Sequence, residues 1–328
     1  MVFMNEQKIA IIFTGQGTQY QGMGNDIRSA FPTAREVYRR AKDILGFYTN
    51  LMCFNSIIQK RSFERTDYVQ IAIFVTNHAL YSVLHEYLPD LKFHATAGHS
   101  LGEYNSLVLS KALEFEQALK LVKLRGAYMH KISKDISGGL LAIVGYSDTS
   151  LTEELNNLKK KGIYIALLNT ERQMVIGGKK LDLEYAKEEL KKSGLRISTL
   201  NVEGPFHTPY MQKAADYLRE GIDQIEVNLG NVPVVANSSA RFIIDPLDIK
   251  EELYKQIFNP VNWVDSIRRM YEFGIRFYLI IGADKYEVTR GMINHIVRGM
   301  VKEIDEKIKI MVVKDERSLE NVVNELSK

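Results

Sequence analysis

One cysteine in 328 residues, Cys53, excludes an internal disulfide. It follows Leu51 and Met52 in an apolar stretch and reads as buried filler in a chain suited to a reducing cytoplasm. Neither sign of charge dominates. The 43 Lys and Arg residues against 40 Asp and Glu give no nucleic-acid footprint. The Lys-rich patches at Lys159-Lys160-Lys161 and Lys191-Lys192 read as solvated helix ends, with docking of an acidic partner as the second reading. No apolar run approaches the roughly 20 residues that span a bilayer. The N-terminal region goes into a core strand with no secretory segment, so no membrane and a cytoplasmic location are expected. Internal repeats and low-complexity linkers are also missing.

What is present begins with Gly98-His99-Ser100-Leu101-Gly102-Glu103, a Gly-x-Ser-x-Gly spacing between a short strand ending at Ala97 and a helix from Glu103. A sharp strand-to-helix turn needs flanking residues without a Cβ, and it leaves the serine alone at the tip. The N–H of Leu101 then faces the substrate, as the geometry of such an elbow requires. A second segment, Ile9 to Phe13, is an apolar β-branched run of the kind that makes a buried parallel strand. It ends in Thr14-Gly15-Gln16-Gly17-Thr18-Gln19, where glycines on both sides of Gln16 let backbone approach a ligand and leave the amide projecting.

The order of elements predicts α/β architecture in two parts. Residues 1–137 and 204–328 form a hydrolase-like core with a parallel sheet and nucleophile elbow. Residues 138–203 read as strand, helix, strand, strand, helix, strand, a ferredoxin-like βαββαβ insert. Strands are expected at Leu91–Ala97, Val232–Ala236 and Phe277–Ile281, and a last helix at Glu316–Leu326.

Together the two motifs resemble the malonyl-CoA:acyl carrier protein transacylase family, including the acyltransferase domains of polyketide synthases. The likeness extends along the chain. Leu121-Val122-Lys123-Leu124-Arg125-Gly126 matches the family's Leu-x-x-x-Arg-Gly, and Gly204-Pro205-Phe206-His207-Thr208-Pro209-Tyr210-Met211 matches its histidine segment. Gln70 stands before a long helix, Asn169 and Gln173 match the Asn…Gln-Val-Val-Ile-x-Gly stretch, and Asn259-Pro260-Val261-Asn262-Trp263 matches Asn-Pro-Val-x-Trp. The resemblance implies Ser100 as nucleophile, His207 as its base, and Arg125 as the binder of a free acyl carboxylate. It implies an oxyanion hole from the N–H groups of Leu101 and Gln16, and a backbone carbonyl at Gln256 that holds the histidine. Gln70, Met129, Asn169, Gln173 and Phe206 would surround the substrate. No bound cofactor and no metal are expected. The donor would be malonyl-CoA, a coenzyme A thioester, and the partner an acyl carrier protein bearing phosphopantetheine.

Moving an acyl group between thioesters needs a nucleophile that forms an ester of moderate reactivity, which a deprotonated serine supplies. His99 adjoins Ser100 but leaves the turn in another direction and reads as packing beside the elbow. His78, His85, His94, His130 and His295 read as structural. An esterase or thioester hydrolase on the same elbow is the first alternative, and it would need an acid to orient the histidine. Asp135, Asp148 and Asp182 lie between Ser100 and His207, on segments that read as loop or insert. A non-catalytic carrier-binding module is the second alternative. Several positions depart from the housekeeping fatty-acid enzyme: Thr14, Ile71 and Glu171 where it has prolines, Phe206 where it has serine, and Gly282-Ala283-Asp284 for its Gly-Pro-Gly. Thr14 and Phe206 look more like polyketide acyltransferases, which suggests supply of extender units in trans. Phe206 and Leu101 suit malonyl over methylmalonyl.

Overall fold

Alternate residues of β1 (Lys8–Phe13) enter two separate cores. Ile11 and Phe13 pack with one helical layer, while Ala10 and Ile12 pack with Trp263 and Ile267 on the other side. A strand covered on both faces must be apolar throughout, which is why Lys8–Phe13 carries no interior polar residue. The computed structural model describes residues 7–49, 65–146, 152–282 and 308–327. Cys53, Asp148, Ala283, Asp284 and His295, named above, lie outside the described residues.

The large sheet has the order β11-β10-β1-β2-β7-β8. Its strands are β2 (Ala95–Gly98), β7 (Val234–Val235), β8 (Phe242–Ile243), β10 (Ile275–Ile281) and β11 (Lys309–Val313) beside β1. All pairings are parallel except β7 with β8. Strand β2 is shorter than the sequence suggests: residues 91–94 stay outside it, with His94 Nδ1 accepting from the Ile9 N–H at 3.2 Å. Strand β7 likewise shrinks to two residues. Helices α1 (Asn25–Ala30), α2 (Pro32–Leu45), α3 (Thr66–Tyr87), α4 (Gly102–Leu109) and α5 (Phe115–Ile136) carry much of the apolar layer on the Phe13 side.

The second sheet contains β3 (Gly138–Val144), β4 (Tyr164–Thr170), β5 (Gln173–Lys179) and β6 (Arg196–Leu200) in the order β6-β3-β5-β4. These four strands pair antiparallel, the ferredoxin-like arrangement. One face, with Leu141, Ile143, Met174 and Ile176, is covered by Leu158 of α6 (Thr152–Lys160) and by Leu183, Ala186 and Leu190 of α7 (Lys180–Lys192). The other face presents Leu140, Ala142 and Val175 to the cleft against the core. The sheet gains a fifth strand from outside 138–203. Val261–Asn262 (β9) pairs parallel with β4, anchored by the Asn262 N–H on the Asn237 carbonyl at 2.8 Å. Among the described residues no helix is long and apolar enough to cross a membrane.

Candidate active site

Three parallel strands deliver their carboxyl ends to one place. Thr14 to Gln16 follow β1, His99 and Ser100 follow β2, and Asn237 lies two residues past β7. Open parallel sheets gather their sites at this edge because the loops and helix starts converge there.

The turn from β2 into α4 is too tight for side chains. A Cβ on Gly98 would stand 1.9 Å from the Gly102 carbonyl carbon, and one on Gly102 would stand 2.5 Å from the Phe13 oxygen. Ser100 sits at φ 51°, a left-handed conformation that costs a non-glycine residue on the order of 1–3 kcal/mol. The surroundings hold it there. The Ser100 N–H donates to Asn237 Oδ1 at 2.6 Å, and Asn237 Nδ2 donates to the Gly98 carbonyl at 2.8 Å. Gln256 Nε2 donates to the Ser100 carbonyl at 2.9 Å. Among the described residues the Leu101 N–H meets no acceptor in the turn.

His207, also left-handed at φ 59°, brings Nε2 to 2.7 Å from Ser100 Oγ. Its Nδ1 lies 2.8 Å from the Gln256 carbonyl. A carbonyl only accepts, so Nδ1 carries the proton and Nε2 offers its lone pair to the serine hydroxyl. Burial, and then the Arg125 cation, pull the His207 pKa down to about 3. The ring is therefore neutral at pH 7 and able to take a proton.

Arg125, on α5, is fully buried. Its Nη1 donates to Gln70 Oε1 at 2.5 Å, and its Nη2 reaches Gln256 Oε1 at 2.9 Å and Ser100 Oγ at 3.1 Å. The Tyr104 ring lies beside it, 5.7 Å from Cζ. Among the described residues no carboxylate is within ion-pair distance of Arg125. Gln256 stands between Arg125 and Glu103, its Nε2 donating to Glu103 Oε2 at 2.7 Å. Burial pushes the Glu103 pKa up to about 8. A buried guanidinium without a carboxylate is an unfavourable arrangement unless an anion arrives.

A cavity of about 430 Å³ opens over these groups. Of the residues singled out in the sequence, Gln16, Met129, Asn169, Gln173 and Phe206 line it beside Ser100, Arg125 and His207. Of the five side chains expected around the substrate, Gln70 is the exception. It stands behind Arg125, touching Met129 Sδ at 3.5 Å, and does not face the cavity. The Gln16 amide does not project freely, since its Oε1 accepts from the Thr66 hydroxyl at 2.8 Å. His99 packs edge-on against Trp263, with ring centroids 5.2 Å apart, and its Nε2 lies 3.1 Å from Asn169 Oδ1. Burial pulls the His99 pKa down to about 4. Among the described residues no group of three His, Cys, Asp or Glu is placed to hold a metal.

Sequence reasoning missed Asn237 and Thr66 and gave Glu103 no task. Asn237 carries a faint signal, an Asn two residues past a short strand. Thr66 carries one too, four residues before Gln70 and on the same helix face.

The fold and site define a class: an α/β protein with an elbow serine hydrogen-bonded to a neutral histidine and to a buried arginine. The chain belongs to the Acyl transferase domain family, which it matches over residues 10–274. It is 31% identical over 324 residues to the malonyl CoA-acyl carrier protein transacylase of Bacillus subtilis (strain 168), covering 97% of each chain. It is 32% identical over 293 residues to the polyketide biosynthesis malonyl CoA-acyl carrier protein transacylase PksC of the same organism, covering 88% of this chain and 96% of that one. Among solved structures, malonyl CoA-acyl carrier protein transacylase from Clostridium perfringens superposes with a TM-score of 0.86 at 32% identity, over 98% of this chain and 97% of the other.

Proposed function

We propose that this chain moves malonyl from malonyl-CoA to the phosphopantetheine thiol of an acyl carrier protein through an ester on Ser100. The observation that carries the reading is the position of Ser100 Oγ, 2.7 Å from His207 Nε2 and 3.1 Å from Arg125 Nη2. His207 takes the serine proton as Oγ attacks the thioester carbonyl, and the N–H groups of Leu101 and Gln16 receive the developing oxyanion. The carbon–sulfur bond breaks, and the coenzyme A thiolate leaves with the proton from His207. The carrier thiol then gives its proton to His207 and attacks the ester, and Ser100 recovers its hydrogen. The Gln256 carbonyl stands where a hydrolase would place an acid, which suffices because a thiolate leaves readily.

Arg125 supports a dicarboxylic acyl group. Its two-pronged donor face would pair the free carboxylate. In malonyl a single methylene separates that carboxylate from the reacting carbonyl, about 2.5 Å between carbons, which fits an Arg125 nitrogen so close to Oγ. The cavity has room for the acyl group and part of a pantetheine arm, along the apolar wall of Leu140, Ala142, Val175 and Leu200. A related solved structure is a complex of a type II polyketide acyl carrier protein with its malonyl transacylase, at 28% identity and a TM-score of 0.87, which supports a carrier protein as partner here. Residues 138–203 form the small subdomain in this reading, and the two remaining segments form the core. Thr14 and Phe206 favour supply of a polyketide or hybrid synthase in trans over housekeeping fatty-acid synthesis.

The test is transfer. Incubated with malonyl-CoA and a phosphopantetheinylated carrier, the chain should yield malonyl-carrier faster than free malonate. Release of free malonate with no malonyl-carrier would make water the productive acceptor and the chain a hydrolase.

A further inference from the structure

Behind the cavity a relay of hydrogen bonds runs from Arg125 to Gln16, and its directions are forced. Arg125 has only donors, so Gln70 must turn its oxygen to Arg125 Nη1, at 2.5 Å. The Gln70 nitrogen is then the donor to Thr66 Oγ1, at 2.9 Å. The hydroxyl has one proton, and it is left for Gln16 Oε1, at 2.8 Å. Thr66 is buried at the first turn of α3, while Gln16 is half-buried on a loop. Among the described residues the Thr66 hydroxyl is the hydrogen-bond partner that anchors the Gln16 side chain.

Thr66 is itself fixed by a group from another segment. Its N–H donates to Glu203 Oε2 at 2.7 Å, where a carboxylate also meets the positive end of the helix. The same oxygen lies 2.9 Å from His130 Nδ1. Glu203 precedes His207 by four residues. The start of α3 is therefore tied to the histidine loop, to Arg125 and to Gln16 at once.

We infer that Thr66 is a positioning residue that sets the Gln16 loop and the Arg125 guanidinium as one unit. The inference rests on the Ser100 acyl-enzyme reading and deepens it. Thr66 touches no substrate. Its hydroxyl holds the loop that carries one oxyanion donor at a fixed place relative to the group that grips the carboxylate. Precise placement of such donors governs the chemical step more than binding.

The experiment compares acyl-enzyme formation by the full chain and by three variants, read by quenched mass spectrometry over a range of malonyl-CoA concentrations. Thr66→Val removes the hydroxyl and keeps the shape. Gln16→Met removes the acceptor on a half-exposed loop and keeps the backbone N–H. Thr66→Ser keeps the hydroxyl. The first two should slow acylation at saturating malonyl-CoA by about 10-fold with half-saturation little changed, and Thr66→Ser should stay within about two-fold of the unmodified chain. Combining Thr66→Val with Gln16→Met should cost little more than either alone. Should Thr66→Val fail to fold, Thr66→Ala, which also lacks the hydroxyl, takes its place, and unchanged acylation in either folded Thr66 variant overturns the inference. Unchanged acylation in Gln16→Met, or multiplicative losses in the double variant, overturns the inference while leaving the acyl-enzyme reading intact. Failure of the unmodified chain to form any ester on Ser100 overturns both.

Discussion

Arg125 Nη2 stands 3.1 Å from Ser100 Oγ, so the nucleophile and the buried cation share a hydrogen bond before any substrate is present. Arg125 only donates, which leaves the serine proton facing His207 Nε2. An arriving carboxylate would meet the guanidinium within one methylene of the atom that attacks its carbonyl. Arg125→Ala should therefore reduce malonyl loading by roughly 100-fold, the equivalent of about 3 kcal/mol. Acetyl loading should fall far less, since acetyl has nothing to pair. Initial loading rates from the two coenzyme A thioesters measure this, and equal losses would mean that Arg125 only supports the fold.

The elbow gives a second expectation. Asn237 satisfies the Ser100 N–H and the Gly98 carbonyl, and it is buried. Asn237→Ala leaves both backbone groups without partners beside a strained serine. Each such group costs about 1–3 kcal/mol, so denaturant unfolding should show a loss of about 2–6 kcal/mol together with slower loading. A loss under about 0.5 kcal/mol would show that the turn holds itself.

The elbow was legible because its chemistry leaves a mark on residue types. Gly98 and Gly102 are required by backbone contact, and no other residues fit. The last helix, Glu316–Leu326, falls where its apolar spacing places it. Other features left no such mark. Asn237 follows a strand of two residues, too short to carry a period. The packing of Val261–Asn262 onto the small sheet is set by tertiary contact with Asn237 and β4, and nothing local announces it. That Arg125 points inward, and that Gln70 stands behind it, depends on how α3 and α5 pack. Local periodicity marks neither as more than an amphipathic position.

Acid should destabilise the fold in a defined window. Desolvation first of all depresses three histidines: the half-buried His78 to about 3, and the buried His99 and His207 to about 4 and about 3. Unfolded, each takes a proton near pH 6.5, while folded it does not, so the stability present above pH 6.5 is lost as pH falls toward about 4. Glu103 acts oppositely. Its pKa, raised to about 8, favours the folded state below that value and offsets one histidine between about pH 4.5 and 6.5. The net slope below pH 6.5 is then on the order of 2–3 kcal/mol per pH unit. Unfolding midpoints at pH 7 and 5.5 measure it, and equal stability at the two would contradict this account of the three histidines.

The side group of the extender unit tests the pocket wall. Phe206 is buried, lines the cavity and immediately precedes His207. An α-methyl group needs space that the ring fills, a clash of about 1–3 kcal/mol. Malonyl should load over methylmalonyl by roughly 10- to 100-fold, and Phe206→Ser should narrow the gap. Competition between the two thioesters, read by mass after short exposure, reports the ratio. Comparable loading by the unmodified chain would show that Phe206 does not gate the pocket.

The covalent intermediate is the central claim, and intact-mass measurement after brief exposure to malonyl-CoA tests it most directly. One malonyl group should appear per chain and map to Ser100. It should vanish in Ser100→Ala, and in His207→Ala it should form slower by orders of magnitude while the fold stays intact. A malonyl adduct that persists in Ser100→Ala would contradict the account.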